Sequence, residues 1–283
     1  MKKVVSVALA LCMAAAVTGC AGEPAAAEST APESSSAAES TAEEAPAEEA
    51  AEEPAEEAAE EPAAEVAVMS YDEYMAAATD EAVAIEAYVQ AKQSYYAEQG
   101  TATVYLQDQD GGYFAYDMAC TQEEYDQMTE GTKIRVSGYK AEWSGEIEIM
   151  DGKLEEIIAG DTFVAEPLDV TAMLGTDELA AHQNEKVVFT GLTVAASTDA
   201  NGNEAAFLYN YDGSGADGDD LYFNVDYNGA TYTFTVESYL CDNTTDVYNA
   251  VEALEIGQTI DCEGFLYWYE GVNPHITSVT VAG

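Results

Sequence analysis

Basic residues are what this chain most lacks. Its 283 residues hold 8 Lys and Arg against 55 Asp and Glu, a formal net charge of -47. Nucleic-acid binders draw affinity from cations set against phosphates. A chain of this charge is therefore expected to repel phosphate-rich partners and anionic membrane surfaces. Histidine is also scarce, with His182 and His275 the whole supply. No H-E-x-x-H, phosphate loop, nucleophile elbow or dinucleotide fingerprint occurs, so no known catalytic constellation is present. Carboxylate pairs are everywhere and single out no active site. The cysteines show no C-x-x-C spacing of a zinc site. No apolar run is long enough to span a bilayer comfortably: the one at Val4 to Val17 is too short for a mature spanning helix.

What is present falls into three regions. Lys2 and Lys3 precede the apolar run, which ends V-T-G-C at Val17–Cys20. That ending resembles the lipobox of bacterial lipoproteins. The resemblance implies that residues 1–20 are a signal peptide, that cleavage falls before Cys20, and that Cys20 is lipidated. The expected location is extracytoplasmic, lipid-anchored to the bacterial cell membrane. Residues 21–65 are almost entirely Ala, Glu, Pro, Ser and Thr, with 15 Glu and no base. Prolines at 46, 54 and 62 interrupt any long helix, and like charges extend the chain, so a disordered tether is expected. Residues 66–283 hold the aromatic content and are long enough for two domains of roughly 100 residues.

Those two domains are copies. Gly131, Ile134, Gly138, Tyr139 and Gly145 recur 126 positions later as Gly257, Ile260, Gly264, Phe265 and Gly271. Cys120 is matched by Cys241, at an offset of 121. Two matches in the same order, separated by one indel, indicate an internal duplication.

The first copy, residues 66–165, reads as a short helix at 70–78 and strands at 83–91, 102–107 and 113–118. A helix at 121–128 follows, then strands at 133–140 and from 146. Three strands, a helix and two strands is the order of an OB-fold, a five-stranded Greek-key barrel. The second copy, 166–283, predicts strands at 186–195, 205–211, 259–267 and 274–281 and a helix at 245–254. The runs 221–226 and 231–238 read as a gained hairpin. The expected fold is all-β with short helices, two tandem OB-fold barrels after the tether. The segments A-Y-V-Q-A-K-Q-S at 87–94, A-C-T-Q-E-E-Y at 119–125 and G-Y-K-A-E-W-S-G-E at 138–146 carry a further likeness. So do E-S-Y-L-C at 237–241 and E-G-F-L-Y-W-Y-E-G at 263–271. They resemble the OB-fold surface lipoproteins of gut anaerobic bacteria, which implies fold and location but no activity.

Candidate binding residues gather where strand four passes to strand five. Trp143 lies there in copy one, and Tyr267, Trp268 and Tyr269 in copy two, with Glu142, Glu270 and His275 beside them. Such aromatics can stack on flat rings, while the carboxylates accept hydroxyl hydrogen bonds. The alternative is a plug of the barrel end or a contact between domains. Alternation sends Trp268 to the side opposite Tyr267 and Tyr269, which makes Trp268 the expected main contributor to binding. Asp212, Asp217, Asp219 and Asp220 could hold calcium, although turn chemistry explains them equally well. Otherwise no cofactor is expected. Cys262 is expected to point inward, and Cys241 and Cys262 are either free thiols or a disulfide. Glu146 and Glu148 are expected to face outward, in ion pairs with Lys133 and Arg135.

The leading expectation is a lipid-anchored surface module that binds a glycan or a protein partner and no nucleic acid. Nucleic-acid binding, suggested by the fold and opposed by charge, is one alternative. An enzyme with an unfamiliar site is the other.

Overall fold

The computed structural model describes residues 66–282. The signal peptide, Cys20 and the tether lie outside them. The chain enters through α1 (Tyr71–Ala76), set by a reciprocal cap in which the Ser70 hydroxyl accepts from the Glu73 amide while the Glu73 carboxylate accepts from the Ser70 amide. Strands β1 (Ala82–Lys92), β2 (Thr101–Gln107) and β3 (Gly112–Ala119) follow. Helix α2 (Gln122–Gln127) carries the same cap, from Thr121 and Glu124. Strands β4 (Thr132–Trp143) and β5 (Glu146–Thr162) complete a closed barrel in the order β1-β2-β3-β5-β4. Ile85, Val104, Leu106, Ile134, Val136 and Ile149 fill it, and Met128 at the end of α2 joins the same core.

A linker leads on, fastened where the Ala165 amide donates to the buried Gln90 side chain at 2.8 Å. Strand β6 (Leu168–Asp169) and two short 3-10 turns precede β7 (Lys186–Ala195). Then come the brief β8 (Ser197–Thr198), β9 (Glu204–Ala205) and β10 (Leu208–Tyr209). Strands β11 (Leu221–Tyr227) and β12 (Ala230–Val236), helix α3 (Asp246–Glu252), and strands β13 (Thr259–Phe265) and β14 (His275–Val281) finish the chain. Pairing of β7 with β11 closes this second barrel. Phe189, Phe223, Phe234, Tyr248, Ile260 and Ile276 form its core.

The second copy differs from the sequence reading in one respect. Strands two and three of its barrel are β11 and β12, the pair read as a gained hairpin. The inserted material is the 197–220 stretch, in which β8 and β9 pair only with each other. Residues 205–211 contribute the end of β9 and β10, a two-residue edge on β11. The ladder decides this: Val194 pairs with Val225, and that register leaves no place beside β7 for 205–211.

A second expectation also fails. Lys133 and Arg135 do face outward, but their partners are Glu86 at 3.2 and 2.7 Å, with Glu156 and Asp161 completing the cluster. Glu146 is fully buried and Glu148 nearly so. They lie outward of barrel one as alternation requires, yet barrel two covers them.

The seam between barrels is aromatic. Tyr105 and Phe114 of barrel one meet Phe265 of barrel two in a cluster of their own, with Tyr105 and Phe265 stacked at 4.6 Å. Such ring pairs contribute about 0.5–1.5 kcal/mol each beyond the area they bury. Polar contacts fix the register of one barrel on the other. The Lys186 amide donates to the Gln107 side chain at 2.8 Å, the Ile147 amide to Gln183 at 3.0 Å, and the Ser94 amide to the Tyr239 carbonyl at 2.8 Å. Gly112 is required here by space: a Cβ on it would stand 2.3 Å from the Asn184 carbonyl carbon. At the centre, the Glu146 carboxylate accepts from the Trp268 amide at 2.9 Å. Its other oxygen and the side-chain oxygen of Asn184 are both buried without a partner. Burial raises the Glu146 carboxyl to about 9, with the Asn184 amide beside it. A carboxyl with that value keeps its proton at neutral pH, which gives the orphaned Glu146 oxygen a hydrogen to donate in its buried place beside Asn184.

Candidate functional site

Strands β11 and β12 of barrel two, the 197–211 insertion and the connection after β13 together form a groove of about 960 Å³. Barrel one supplies Trp143 to the same groove. The connection from β4 to β5 is a two-residue turn with Ser144 and Gly145 at positive φ, and it holds Trp143 at the strand's tip. The equivalent connection of barrel two, 266–274, is longer. It lies against the first: the Glu270 amide donates to the Ser144 carbonyl at 2.8 Å. The Trp143 and Tyr269 rings stand 5.1 Å apart. The two copies of the connection thus face each other across the seam.

The groove is lined by rings and neutral hydrogen-bonding groups. Trp143, Tyr211 and Tyr269 are 52%, 76% and 48% exposed, so they are not there to fill a core. Asn224, Thr231, Thr233 and Asn273 supply amides and hydroxyls. Among the described residues that line it, Glu270 is the one carboxylate, and none is Lys or Arg. At the back, the His275 and Tyr267 rings are stacked at 4.1 Å. Burial holds His275 down at about 3, so its imidazole is neutral in any ordinary buffer.

Of the residues singled out from sequence, Trp143, Tyr267, Tyr269, Glu270 and His275 meet in this groove. Glu142 is exposed on β4 and takes no part in the lining. Trp268 faces away from it. Its ring packs on the core of barrel two, and a Cβ on Gly145 would touch it at 2.8 Å. Trp268 belongs to the seam. Tyr222 and Asn224 on β11, Tyr232 on β12 and Tyr211 in the turn after β10 join the groove without having been foreseen, because the β7–β11 ladder puts β11 and β12, and the insertion before them, beside the connection.

The acidic loop after β10 is held by its own hydrogen bonds. Asp212 accepts from the Ser214 amide, Asp219 from the Ala216 amide, Asp220 from the Ser238 amide and hydroxyl, and Asp217 from Asn243. Among the described residues no group of three or more His, Cys, Asp or Glu is placed to hold a metal ion. Cys120, Cys241 and Cys262 are free thiols. Cys262 points inward, and burial raises its thiol well above the ordinary value.

No family model and no curated protein matches the chain. Solved structures do match. The HINb domain of p204 is 9% identical, covering 70% of this chain and 95% of that one at a TM-score of 0.30. The HINa domain of Ifi202 in complex with 20bp dsDNA is 13% identical, covering 72% and 98% at 0.31. A replication protein A heterotrimer bound to ssDNA is 12% identical, covering 71% and 49% at 0.27.

Two expectations are corrected: the exclusion of nucleic acid, and the leading reading of a surface module for a glycan or a protein partner. The matched structures just named include complexes with double- and single-stranded DNA. The charge argument also fails on its own terms. Net charge is a property of the whole chain, whereas the groove presents a single carboxylate among rings and neutral groups.

Proposed function

We propose that the groove binds single-stranded nucleic acid by its bases. The observation that carries this reading is the set of half-exposed or more exposed rings, Trp143, Tyr211 and Tyr269, over a lining with almost no charge. Every base has a π-face, and stacking on an aromatic side chain contributes about 1–3 kcal/mol per base. A duplex keeps those faces inside its own stack, so an unpaired strand is the form that can use them. Complexes with both duplex and single-stranded DNA occur among structures of similar fold, and the groove's chemistry favours the second.

The absence of Lys and Arg from the lining gives the reading a signature. Ordinary single-strand binders lose affinity as salt rises, because phosphate contacts release counterions. Here the acidic body repels the backbone, and salt screens that repulsion. Fluorescence anisotropy of a labelled thymidine oligonucleotide should therefore show affinity that rises with added sodium chloride. Tryptophan quenching on the same titration should report Trp143. Absence of binding at high salt would overturn the proposal. A steep fall of affinity with salt would overturn the base-led mode in favour of phosphate contacts.

A further inference from the structure

His275 is 7% exposed, and its Nδ1 lies 2.6 Å from the Tyr105 hydroxyl. Tyr105 is completely buried, and burial raises its hydroxyl well above the ordinary value, so the phenol keeps its proton. That hydroxyl has two side-chain partners among the described residues: the Gln93 side chain, whose hydrogen bond to it favours the charged form and so comes from a donor, and His275 Nδ1, the acceptor left for the phenol's own proton. Were Nδ1 to carry hydrogen instead, two donors, Nδ1–H and the Gln93 amide, would point at the Tyr105 oxygen and its own buried O–H would be left without an acceptor. Tyr105 therefore donates and Nδ1 accepts. A neutral imidazole has one hydrogen, so it resides on Nε2.

Among the described residues Nε2 has no hydrogen-bond partner, yet it is not among the fully buried orphaned atoms. The residue lines the groove. Its ring is held in plane by Tyr267, stacked at 22°. A neutral, rigid N–H thus faces the cavity with an unused bond to offer.

We infer that His275 is a specificity-determining residue whose Nε2–H donates to an acceptor on the edge of a bound base, with Tyr105 fixing the tautomer. This rests on the reading of the groove as a base-binding site and says which base edges it should favour: those that turn an acceptor, a carbonyl oxygen or a ring nitrogen, to the donor. The contact is a hydrogen bond between neutral groups, worth a roughly 5-fold preference.

The test compares two oligonucleotides, one of thymidine and one in which difluorotoluene, a ring of thymine's shape without its hydrogen bonding, replaces thymine. Wild-type protein should prefer thymidine about 5-fold. His275→Phe should bind both alike, because stacking survives and the donor is gone. Tyr105→Phe, which frees the tautomer and keeps the ring, should lose part of the preference. Nitrogen NMR of the wild-type imidazole needs no variant to fold, and should show a protonated Nε2 and a bare Nδ1. Equal binding of the two oligonucleotides by wild-type protein, or hydrogen on Nδ1, overturns the assignment of His275 and leaves the groove reading standing. Binding of neither oligonucleotide overturns both.

Discussion

Replacing Glu146 with Gln should make this protein more stable, and only above acid pH. Burial raises the Glu146 carboxyl from 4.5 to about 9. In the unfolded chain the group loses its proton near 4.5; in the folded protein it keeps it until about 9. A raised folded value means that the group's stabilising contribution is complete below the unfolded value and is lost as pH climbs toward the folded one. Each pH unit within that window removes about 1.4 kcal/mol. From pH 5 to pH 8 the loss comes to about 4 kcal/mol. Gln carries no titrating proton. Its oxygen can keep the bond from the Trp268 amide, and its amide carries the hydrogen that the orphaned Glu146 oxygen has only when protonated. Glu146→Gln and wild type should match within about 1 kcal/mol at pH 5, and the variant should lead by about 3–4 kcal/mol at pH 8. For a folded region of this size that is roughly 10 °C in Tm. Glu148 and Glu237, each raised to about 7 by burial, leave a slope of the same sign in both proteins below neutrality. The difference between them isolates Glu146. Melts by circular dichroism across pH 5 to 9 decide it. A variant no more stable than wild type at pH 8 would refute the buried proton.

Three further outcomes are expected. Gly112→Ala forces a methyl group onto the Asn184 backbone and should cost more than about 2 kcal/mol; chemical denaturation in urea would measure it, and a neutral result would mean that the seam yields easily. Trp143→Ala should weaken oligonucleotide binding by about 1–3 kcal/mol with little change in Tm, whereas Trp268→Ala should lower Tm and spare affinity; anisotropy and melting on the same preparations would show a reversal at once. Cys20→Ser, which removes the lipidation that the V-T-G-C ending implies, should abolish incorporation of labelled fatty acid and partitioning into detergent, and a mutant still partitioning with membranes would refute that lipidation whatever the groove binds.

Much of the barrel architecture could be read from the chain because its signals are local. Alternation in 83–91 and the S-x-x-E and T-x-x-E caps depend on neighbours a few residues away, and these elements stand close to where they were expected. The alternation at 205–211 misled because strand choice in a barrel is settled by distant register, here between β7 and β11. Glu146 and Glu148 show a different failure. Their outward direction was correct, but in a tandem protein one barrel's outside is the other's inside, and no local pattern reports that. The aromatic connection was legible as a candidate site, while the division of labour between Trp143 and Trp268 was not. Which side of the strand meets solvent depends on where the first barrel docks.

The facing pair of connections has a consequence for inheritance. Trp143 and Tyr269 stand at equivalent places in a duplicated unit, and the contact between Ser144 and Glu270 joins the copies at that very place. Barrel two supplies every lining residue but Trp143, so a single barrel would have owned most of the groove and lacked the ring that faces Tyr269 across the seam. Duplication completed the cleft at its seam edge, by setting a segment against its own copy. After that event neither repeat could drift alone, since lengthening one connection, as in 266–274, reshapes a space whose other boundary is encoded more than a hundred codons away.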